Sequence, residues 1–248
     1  MKRQIAAISF IFVFFSAFSQ CIEEKRISYG GDWNNYHYTY FCPTFNFSFD
    51  GDTSKIWGVL NAPIDITQVG ESIFPIKAKV ESDIQKYAGK TFVKNLIFQS
   101  VKIVYPDSIE KFAGRMPFCN LDSCRAKFFF YYIFSPVKDA NYHIGIAADD
   151  TGKILSEFNF PNEKDFKVID TTLTTCRLIK IAEKYKDQIE PIDQISFNYD
   201  FIRKRFYWLI TQQVLNEKEG KNTFNSLLID ACNSKKVRLK KGIVFIEY

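Results

Sequence analysis

Few side chains in this chain could carry out catalysis by themselves. Its 248 residues include only 2 histidines, His37 and His143, and 6 cysteines. Two histidines cannot build a multi-histidine metal centre, and a serine or cysteine nucleophile would need one of them as its base. His143 falls in a predicted hairpin strand and is expected to pack against the neighbouring strand. His37 falls in an aromatic strand that is either a ligand face or, as we favour, the site of a half-buried structural histidine. We therefore predict no catalytic residue, no metal site and no cofactor.

Short motifs for phosphate, calcium or hydrolase chemistry are incomplete here. Ala88-Gly89-Lys90-Thr91 resembles the end of a phosphate-binding loop, but Ile84 stands where that loop requires glycine. The segment Asp149-Asp150-Thr151-Gly152 lacks the alternating carboxylates and final glutamate of a calcium loop, and no Gly-x-Ser-x-Gly elbow occurs. Hydrolase chemistry is therefore poorly supported by these motifs.

The cysteines point to structural cross-links. An even number of cysteines predicts disulfides if the chain is exported to an oxidising compartment, which the N-terminus described below indicates. The candidates are Cys21, Cys42, Cys119, Cys124, Cys176 and Cys232. Cys119 and Cys124 are expected to close a small loop, since the C-x4-C spacing fits neither a C-x-x-C redox motif nor a zinc knuckle.

The other four cysteines leave alternatives open. Cys21 either pairs with Cys42 or is lipidated; Gln20 before it disfavours lipidation, because the bacterial lipobox has a small residue there. Cys176 and Cys232 either pair with each other or are buried free thiols.

The N-terminus has the three parts of a secretory signal peptide. Lys2 and Arg3 are followed by an apolar run from Ile5 to Phe15 and by the small-x-small sequence Ala17-Phe18-Ser19. The run is shorter than the roughly 20 residues of a membrane span, and no later segment is long enough either. We predict that residues 1–19 are cleaved and that the protein is secreted or periplasmic, without a transmembrane span.

The charge balance argues against nucleic acid as a partner. There are 33 Lys+Arg against 28 Asp+Glu, a formal charge of +5. Removal of Lys2 and Arg3 leaves +3, which gives no electrostatic footprint for a phosphate backbone. The densest basic run, Lys235 to Lys241, is expected to be a solvated edge strand.

Aromatic residues dominate the elements that must position any site. The 26 Phe, 13 Tyr and 3 Trp favour strands. Residues 20–75 are predicted to form an N-terminal aromatic β-rich extension, with strands near Phe41–Phe49 and Lys55–Leu60. Within it, Tyr36, His37 and Tyr38 are candidates for a partner-binding surface.

Two α+β units are predicted after this extension. In the first, over residues 76–165, apolar spacing predicts a helix from Ile76 to Tyr87 that stops at Gly89. Its predicted strands are Asn95–Tyr105, Ala126–Phe134, Tyr142–Ala148 and Lys153–Phe160. The second unit, over residues 166–248, has a predicted helix from Thr171 to Tyr185. Its predicted strands are Ile192–Tyr199, Arg203–Val214, Phe224–Ala231 and Lys235–Leu239.

The two units match in local sequence as well as in element order. KFFFYYIF from Lys127 aligns with RFYWLIT from Arg205, and IAADDTGKI from Ile146 aligns with IDACNSKKV from Ile229. The extra length falls in the polar loop 216–223, as expected for a duplicated unit. Two unrelated meanders with similar aromatics are the alternative.

Both faces of the aromatic strands are apolar, which a half-solvated sheet would not tolerate. The second face is therefore expected to pack on the other unit or on the N-terminal strands, or to bind a partner. The candidate partner residues are Tyr131, Tyr132, Tyr207 and Trp208.

The segment from Tyr142 to Leu155, YHIGIAADDTGKIL, resembles the hairpin of PepSY-type domains. There, a strand, an acidic turn with Thr-Gly-Lys and a return strand follow a helix and an aromatic strand. The second unit departs from this pattern at Asn233-Ser234-Lys235. The resemblance implies tandem small α+β units in an exported protein and a non-catalytic role as a regulator or inhibitor of a peptidase. It carries no binding residue over to this chain.

These observations predict an exported, non-enzymatic binding module with a protein partner, either a peptidase or an envelope component. The first alternative is a cell-envelope assembly or adhesion protein that uses the N-terminal aromatic strands. The second alternative is a secreted hydrolase.

Overall fold

The computed structural model describes residues 21–22, 26–32, 45–48, 56–58, 66–103, 126–215 and 218–247. They form helices packed on two β-sheets, an α+β fold as predicted. Among these residues, no helix combines the length and the apolar character needed to cross a membrane.

The first helix, α1, spans Ile66–Ala88 and contains the predicted helix Ile76–Tyr87. It begins earlier than expected, with Pro75 inside it. Gly89 ends it with φ of 80°, a left-handed conformation that glycine adopts without steric cost. A short helix α2, Lys90–Val93, follows.

The first sheet has six strands. They are β2 (Gly30–Asp32), β3 (Phe45–Ser48), β4 (Ile56–Gly58), β5 (Leu96–Ile103), β6 (Phe128–Phe134) and β7 (Tyr142–Ala148), in the order β2-β7-β6-β5-β3-β4. The strands predicted at Asn95–Tyr105, Ala126–Phe134 and Tyr142–Ala148 are confirmed, and so are those near β3 and β4.

The prediction of a fourth strand in this unit, at Lys153–Phe160, is wrong. Only a single bridge between Ile154 and Ala148 forms. The Ala147 N–H donates to the Ser156 hydroxyl at 3.0 Å, so a side-chain oxygen replaces the backbone carbonyl that a paired strand would provide. Phe160 is then buried, because it packs under the helices against Tyr87 and Phe92.

The acidic turn after β7 forms as its sequence predicts. The Asp149 carboxylate accepts hydrogen bonds from the Thr151 N–H, the Thr151 hydroxyl and the Lys153 N–H. Desolvation acts in the opposite direction, but these bonds hold the pKa of Asp149 below its usual value. The Lys79 ammonium on α1 donates to the Thr151 carbonyl and joins the turn to the helix.

The second helical segment begins at Thr175 rather than at the predicted Thr171. It consists of α3 (Thr175–Ala182), a 3-10 turn (Glu183–Tyr185) and α4 (Lys186–Ile189). The delay has a local cause, because the Asp170 carboxylate accepts from the Thr172 N–H and hydroxyl and closes a turn first. The Thr174 hydroxyl then caps α3 by accepting the Arg177 N–H.

The second sheet has five strands. They are β1 (Ile27–Ser28), β8 (Ile192–Asp200), β9 (Arg205–Gln212), β10 (Gly220–Asp230) and β11 (Val237–Ile246), in the order β1-β8-β9-β10-β11. All four strands predicted for this unit are confirmed. The last two are longer than expected, and β11 lies at the sheet edge, as its basic run suggested.

Residues 26–32 join the two sheets edge to edge. Ile27 and Ser28 pair in parallel with β8, and two residues later Gly30 pairs in parallel with β7. The backbone of Gly30 approaches the Phe197 carbonyl so closely that a Cβ atom there would lie 1.7 Å from its oxygen. The N-terminal extension thus supplies strands to both sheets. The domain boundaries at residues 75 and 165 stay predictions.

One core lies between the helices and the inner faces of both sheets. Stacked aromatic rings connect the first sheet and its helices to the second sheet. Phe92 stacks on Phe134 at 4.3 Å, Phe134 on Phe206 at 5.1 Å and Phe206 on Phe197 at 4.9 Å. The two halves are therefore packed as one body.

The disulfide in the described residues joins Cys21 to Cys176, at the second residue of α3. This corrects the expected Cys21–Cys42 pair, and it also excludes a Cys176–Cys232 bond. The Cα atoms lie 5.1 Å apart, within the usual range for a disulfide. Sequence spacing could not reveal this bond because 155 residues separate the two cysteines.

Candidate binding surface

The side of the second sheet that faces away from the helices is partly accessible. Leu209, Thr211 and Leu228 are partly exposed on it, whereas Ser196, Ser226 and Tyr207 are buried. Opposite residues in antiparallel strands project to the same face. The strand register therefore aligns two outer rows, Ser196–Leu209–Leu228–Arg238 and Gln194–Thr211–Ser226–Lys240. The alternate residues Phe197, Trp208 and Ile229 point into the core and are fully buried.

A groove of about 370 Å³ runs across this face. We call it the outer groove. The residues that line it are Gln194, Asn198, Tyr199, Asp200, Tyr207, Leu209, Thr211, Phe224, Ser226, Leu228, Lys240, Lys241 and Gly242. Phe224 lies directly opposite Gly242, and its ring covers the space that a Cβ atom would need. The missing side chain at Gly242 therefore lets an aromatic ring form part of the groove wall.

Two carboxylates near the outer groove are paired with arginine side chains. Beside Tyr207, the buried Asp230 carboxylate pairs with Arg205 at 3.1 Å. Nearby, Asp200 pairs with Arg203 at 2.6 Å. Each of these carboxylates is thus neutralised by an arginine.

The polar groups that remain available are hydroxyls, amides and lysines. Burial, reinforced by Asp230, raises the pKa of Tyr207, so its hydroxyl keeps its proton at neutral pH. Lys240 and Lys241 are exposed at the side formed by β11. The groove thus combines aliphatic and aromatic walls with neutral hydrogen-bonding groups and a basic rim.

The outer face of the first sheet is covered instead. Phe129, Tyr131 and Ala147 form a buried cluster with Ala126, and Leu155 packs against it. Tyr131 is only 3% exposed, and burial raises its pKa. This corrects the proposal that Tyr131 belongs to a partner-binding surface.

Tyr132 and Trp208 are also core residues. Tyr132 is 1% exposed; burial raises its pKa well above the usual value, and Glu81 adds to the effect. Trp208 is fully buried and meets the Phe197 ring edge-on at 5.2 Å. Of the four aromatics proposed on these strands, only Tyr207 lines the outer groove, with most of its side chain buried.

Several proposed residues lie outside the part of the chain that the structure describes. They are Tyr36, His37, Tyr38, Cys42, Cys119 and Cys124. The Cys119–Cys124 pair and the N-terminal aromatic surface therefore stay predictions.

Cys232 is a free cysteine with a weakly acidic thiol. It is half-buried, and its sulfur lies 3.5 Å from the Lys167 carbonyl. Burial, reinforced by Asp230, raises the pKa of Cys232 to about 11. The group is therefore protonated at neutral pH, and a protonated thiol is a poor nucleophile. Across the described ranges, no three His, Cys, Asp or Glu side chains cluster so as to hold a metal ion.

The aliphatic and hydroxyl residues of the outer groove were not among the predicted site residues. Leu209, Thr211, Ser226 and Leu228 alternate with core residues along β9 and β10. This period of two was visible in the sequence, but the sequence could not show which strands lie side by side or which sheet face stays partly accessible.

Comparison of the chain with protein-family models, with curated proteins and with solved structures returns no match.

Proposed function

We propose that this chain is an exported, non-enzymatic binding module that holds a segment of a protein partner in the outer groove. The observation that carries the proposal is the difference between the two outer sheet faces. On the first face Phe129 and Tyr131 are buried, with Leu155 packed against their cluster, whereas the second face has a groove of about 370 Å³.

The lining of the groove suits a polypeptide. Leu209, Leu228 and Phe224 offer apolar contacts, and the partly exposed Thr211 offers a hydroxyl group that donates and accepts hydrogen bonds. The basic rim favours a segment with an acidic residue. The sequence of residues 142–155 resembles PepSY-type hairpins, although its return strand is reduced to the bridge between Ile154 and Ala148. This sequence resemblance is our reason for proposing a peptidase as the partner and regulation or inhibition as the effect.

Tandem duplication of the unit is part of this proposal. The sequence alignment equates Phe128 with Phe206 and Ala148 with Ala231. In the first sheet Phe128 pairs with Ala148, and in the second the Ala231 N–H donates to the Phe206 carbonyl at 3.1 Å. Strands β5-β6-β7 and β8-β9-β10 also follow one another in the same antiparallel order. The aligned residues thus occupy matching register positions, which supports descent from one unit.

The proposed function also includes export through a signal peptide, residues 1–19, that is then cleaved. The Cys21–Cys176 disulfide supports it, since such bonds persist in oxidising compartments. The same sulfur cannot also carry a lipid, so the disulfide favours a soluble exported form over a lipoprotein.

The test is a pull-down from envelope and culture fractions with the mature protein as bait, followed by a peptidase assay on the captured partner. We expect a captured peptidase whose activity falls when the bait is added. Leu209→Arg should abolish capture, because it places a charge in the groove. Ile202→Lys, at a 92% exposed turn residue, is the matched control and should capture normally.

A partner that binds Leu209→Arg as well as the wild type would refute the groove as the binding site. Capture of an outer-membrane assembly component in place of a peptidase would favour the envelope-assembly alternative.

A further inference from the structure

Strand β11 ends the second sheet, and half of it projects beyond the other strands. β10 pairs with β11 from Gly220↔Ile246 to Ile229↔Val237. Strand β9, however, pairs only with Ser226–Asp230 of β10. The far half of the hairpin is therefore a two-stranded ribbon, and within the described residues no strand pairs with the outer edge of β11.

The two halves of this edge differ in protection. Arg238, Lys240 and Lys241 place charges on the first half, which discourages pairing with another strand. The second half, Gly242–Ile246, has no charge. On it, Ile243 is 51% exposed and Phe245 is 70% exposed. An uncharged apolar edge with free backbone groups is a template for another strand.

We propose that a second copy of this chain binds along this edge, with the two β11 strands antiparallel and the two-fold axis at Val244. This register places Ile243 of one copy opposite Phe245 of the other. It also places Lys241 of one copy opposite Glu247 of the other, and both pairs occur twice because the interface is isologous. The sequence of the edge is therefore complementary to itself in charge and in apolarity.

The neighbouring registers lack this complementarity. With the axis at Ile243, Lys241 would lie opposite Phe245 and Glu247 opposite Leu239. With the axis at Gly242, Lys241 would lie opposite Ile243. Each shift leaves charged side chains against apolar ones, so the register at Val244 is favoured.

The dimer should be reversible. A standard stable interface buries about 1,600 Å² in total, and an edge with five uncharged residues buries less. We expect a dissociation constant in the micromolar range, so the fraction of dimer should rise with protein concentration. Dimer formation does not require a ligand in the outer groove. The dimer can therefore be refuted without refuting the proposed function, and the reverse also holds.

The first experiment is light scattering coupled to size exclusion across a concentration series. The wild type should shift from one to two chain masses. Phe245→Lys should stay at one chain mass, because it adds charge to an exposed position without disturbing the core. Ile202→Lys, an exposed residue remote from β11 in sequence, is the control and should dimerise normally. A wild type that stays monomeric at millimolar concentration, or a Phe245→Lys variant that still dimerises, overturns the proposal.

The second experiment tests the register. Lys241→Glu and Glu247→Lys should each weaken the dimer, and the double variant should restore it. Val244→Cys should form a cross-link between copies, since paired Cα atoms lie about 4.5–5.5 Å apart. Lys240→Cys should not, because the two Lys240 positions would be roughly 27 Å apart at the usual rise per residue. Failure of the charge swap to restore the dimer, or equal cross-linking of both cysteine variants, overturns the register.

Discussion

Gly30 shows how one small residue lets a segment from near the N-terminus pass between two sheets. Its backbone pairs with β7 on one side and touches the Phe197 carbonyl of β8 on the other. Only a residue without a Cβ atom fits there, because that atom would lie 1.7 Å from the carbonyl oxygen. The requirement is steric rather than conformational, and it depends on a strand that lies far away in sequence.

We expect Gly30→Ala to lower the free energy of unfolding by about 3 kcal/mol, the upper range for overpacking. Gly220→Ala is the control. Gly220 has φ of 95°, but a Cβ atom there would meet nothing within 4 Å. Its cost should be about 1–2 kcal/mol from backbone conformation alone. Urea unfolding measures both, and an equal or smaller loss for Gly30→Ala would contradict the close approach.

At the scale of elements, the disulfide clamps the N-terminal segment to α3. Cys21 lies just before β1, so its bond to Cys176 holds the start of the segment that joins the sheets. The Arg26 guanidinium adds a hydrogen bond to the Ile192 carbonyl at the start of β8. Two anchors thus position a segment whose strands are only two and three residues long.

We expect Cys21→Ser with Cys176→Ser to lower the free energy of unfolding by about 2–5 kcal/mol, because the bond closes a long loop in the unfolded chain. Cys232→Ser is the control and should cost about 1 kcal/mol or less. Thermal unfolding measures the difference, and peptide mapping without reductant should recover the linked Cys21 and Cys176 peptides. Recovery of a Cys21 peptide linked to Cys42 would contradict the Cys21–Cys176 bond.

At the scale of the whole molecule, stacked aromatic rings connect the first sheet to the second within one core. Phe206 of the second sheet stacks on Phe134 of the first and on Phe197 of its own sheet. It is 2% exposed. Removal of the Phe206 ring should therefore destabilise the packing of both sheets.

We expect Phe206→Ala to lower the free energy of unfolding by about 4 kcal/mol, the usual cost of removing a buried phenylalanine ring. Unfolding should remain a single transition by fluorescence and by circular dichroism. Phe201→Ala, at a 59% exposed turn residue, is the control and should change stability by about 0.5 kcal/mol or less. Two separate transitions in the wild type would show that the halves unfold independently.

The local elements of this fold could be predicted from sequence patterns alone. The 3.6-residue spacing of Ile76, Val80, Ile84 and Tyr87 predicted the C-terminal half of α1 and its end at Gly89. Strand patterns likewise predicted β6, β7, β9 and β10. The acidic turn at Asp149 was also predicted, because its hydrogen bonds join residues at most four apart. Such features depend on near neighbours in the chain, which a pattern in the sequence reveals directly.

Which surfaces are covered, by contrast, became visible only in the folded chain. An apolar strand face has the same sequence pattern whether a helix, another strand or a partner lies on it, so Tyr132 and Trp208 were proposed as surface residues and are core residues. The same reason explains the Cys21–Cys176 bond, the insertion of residues 26–32 between the sheets and the outer groove. Each depends on residues distant in sequence that meet only when the chain has folded.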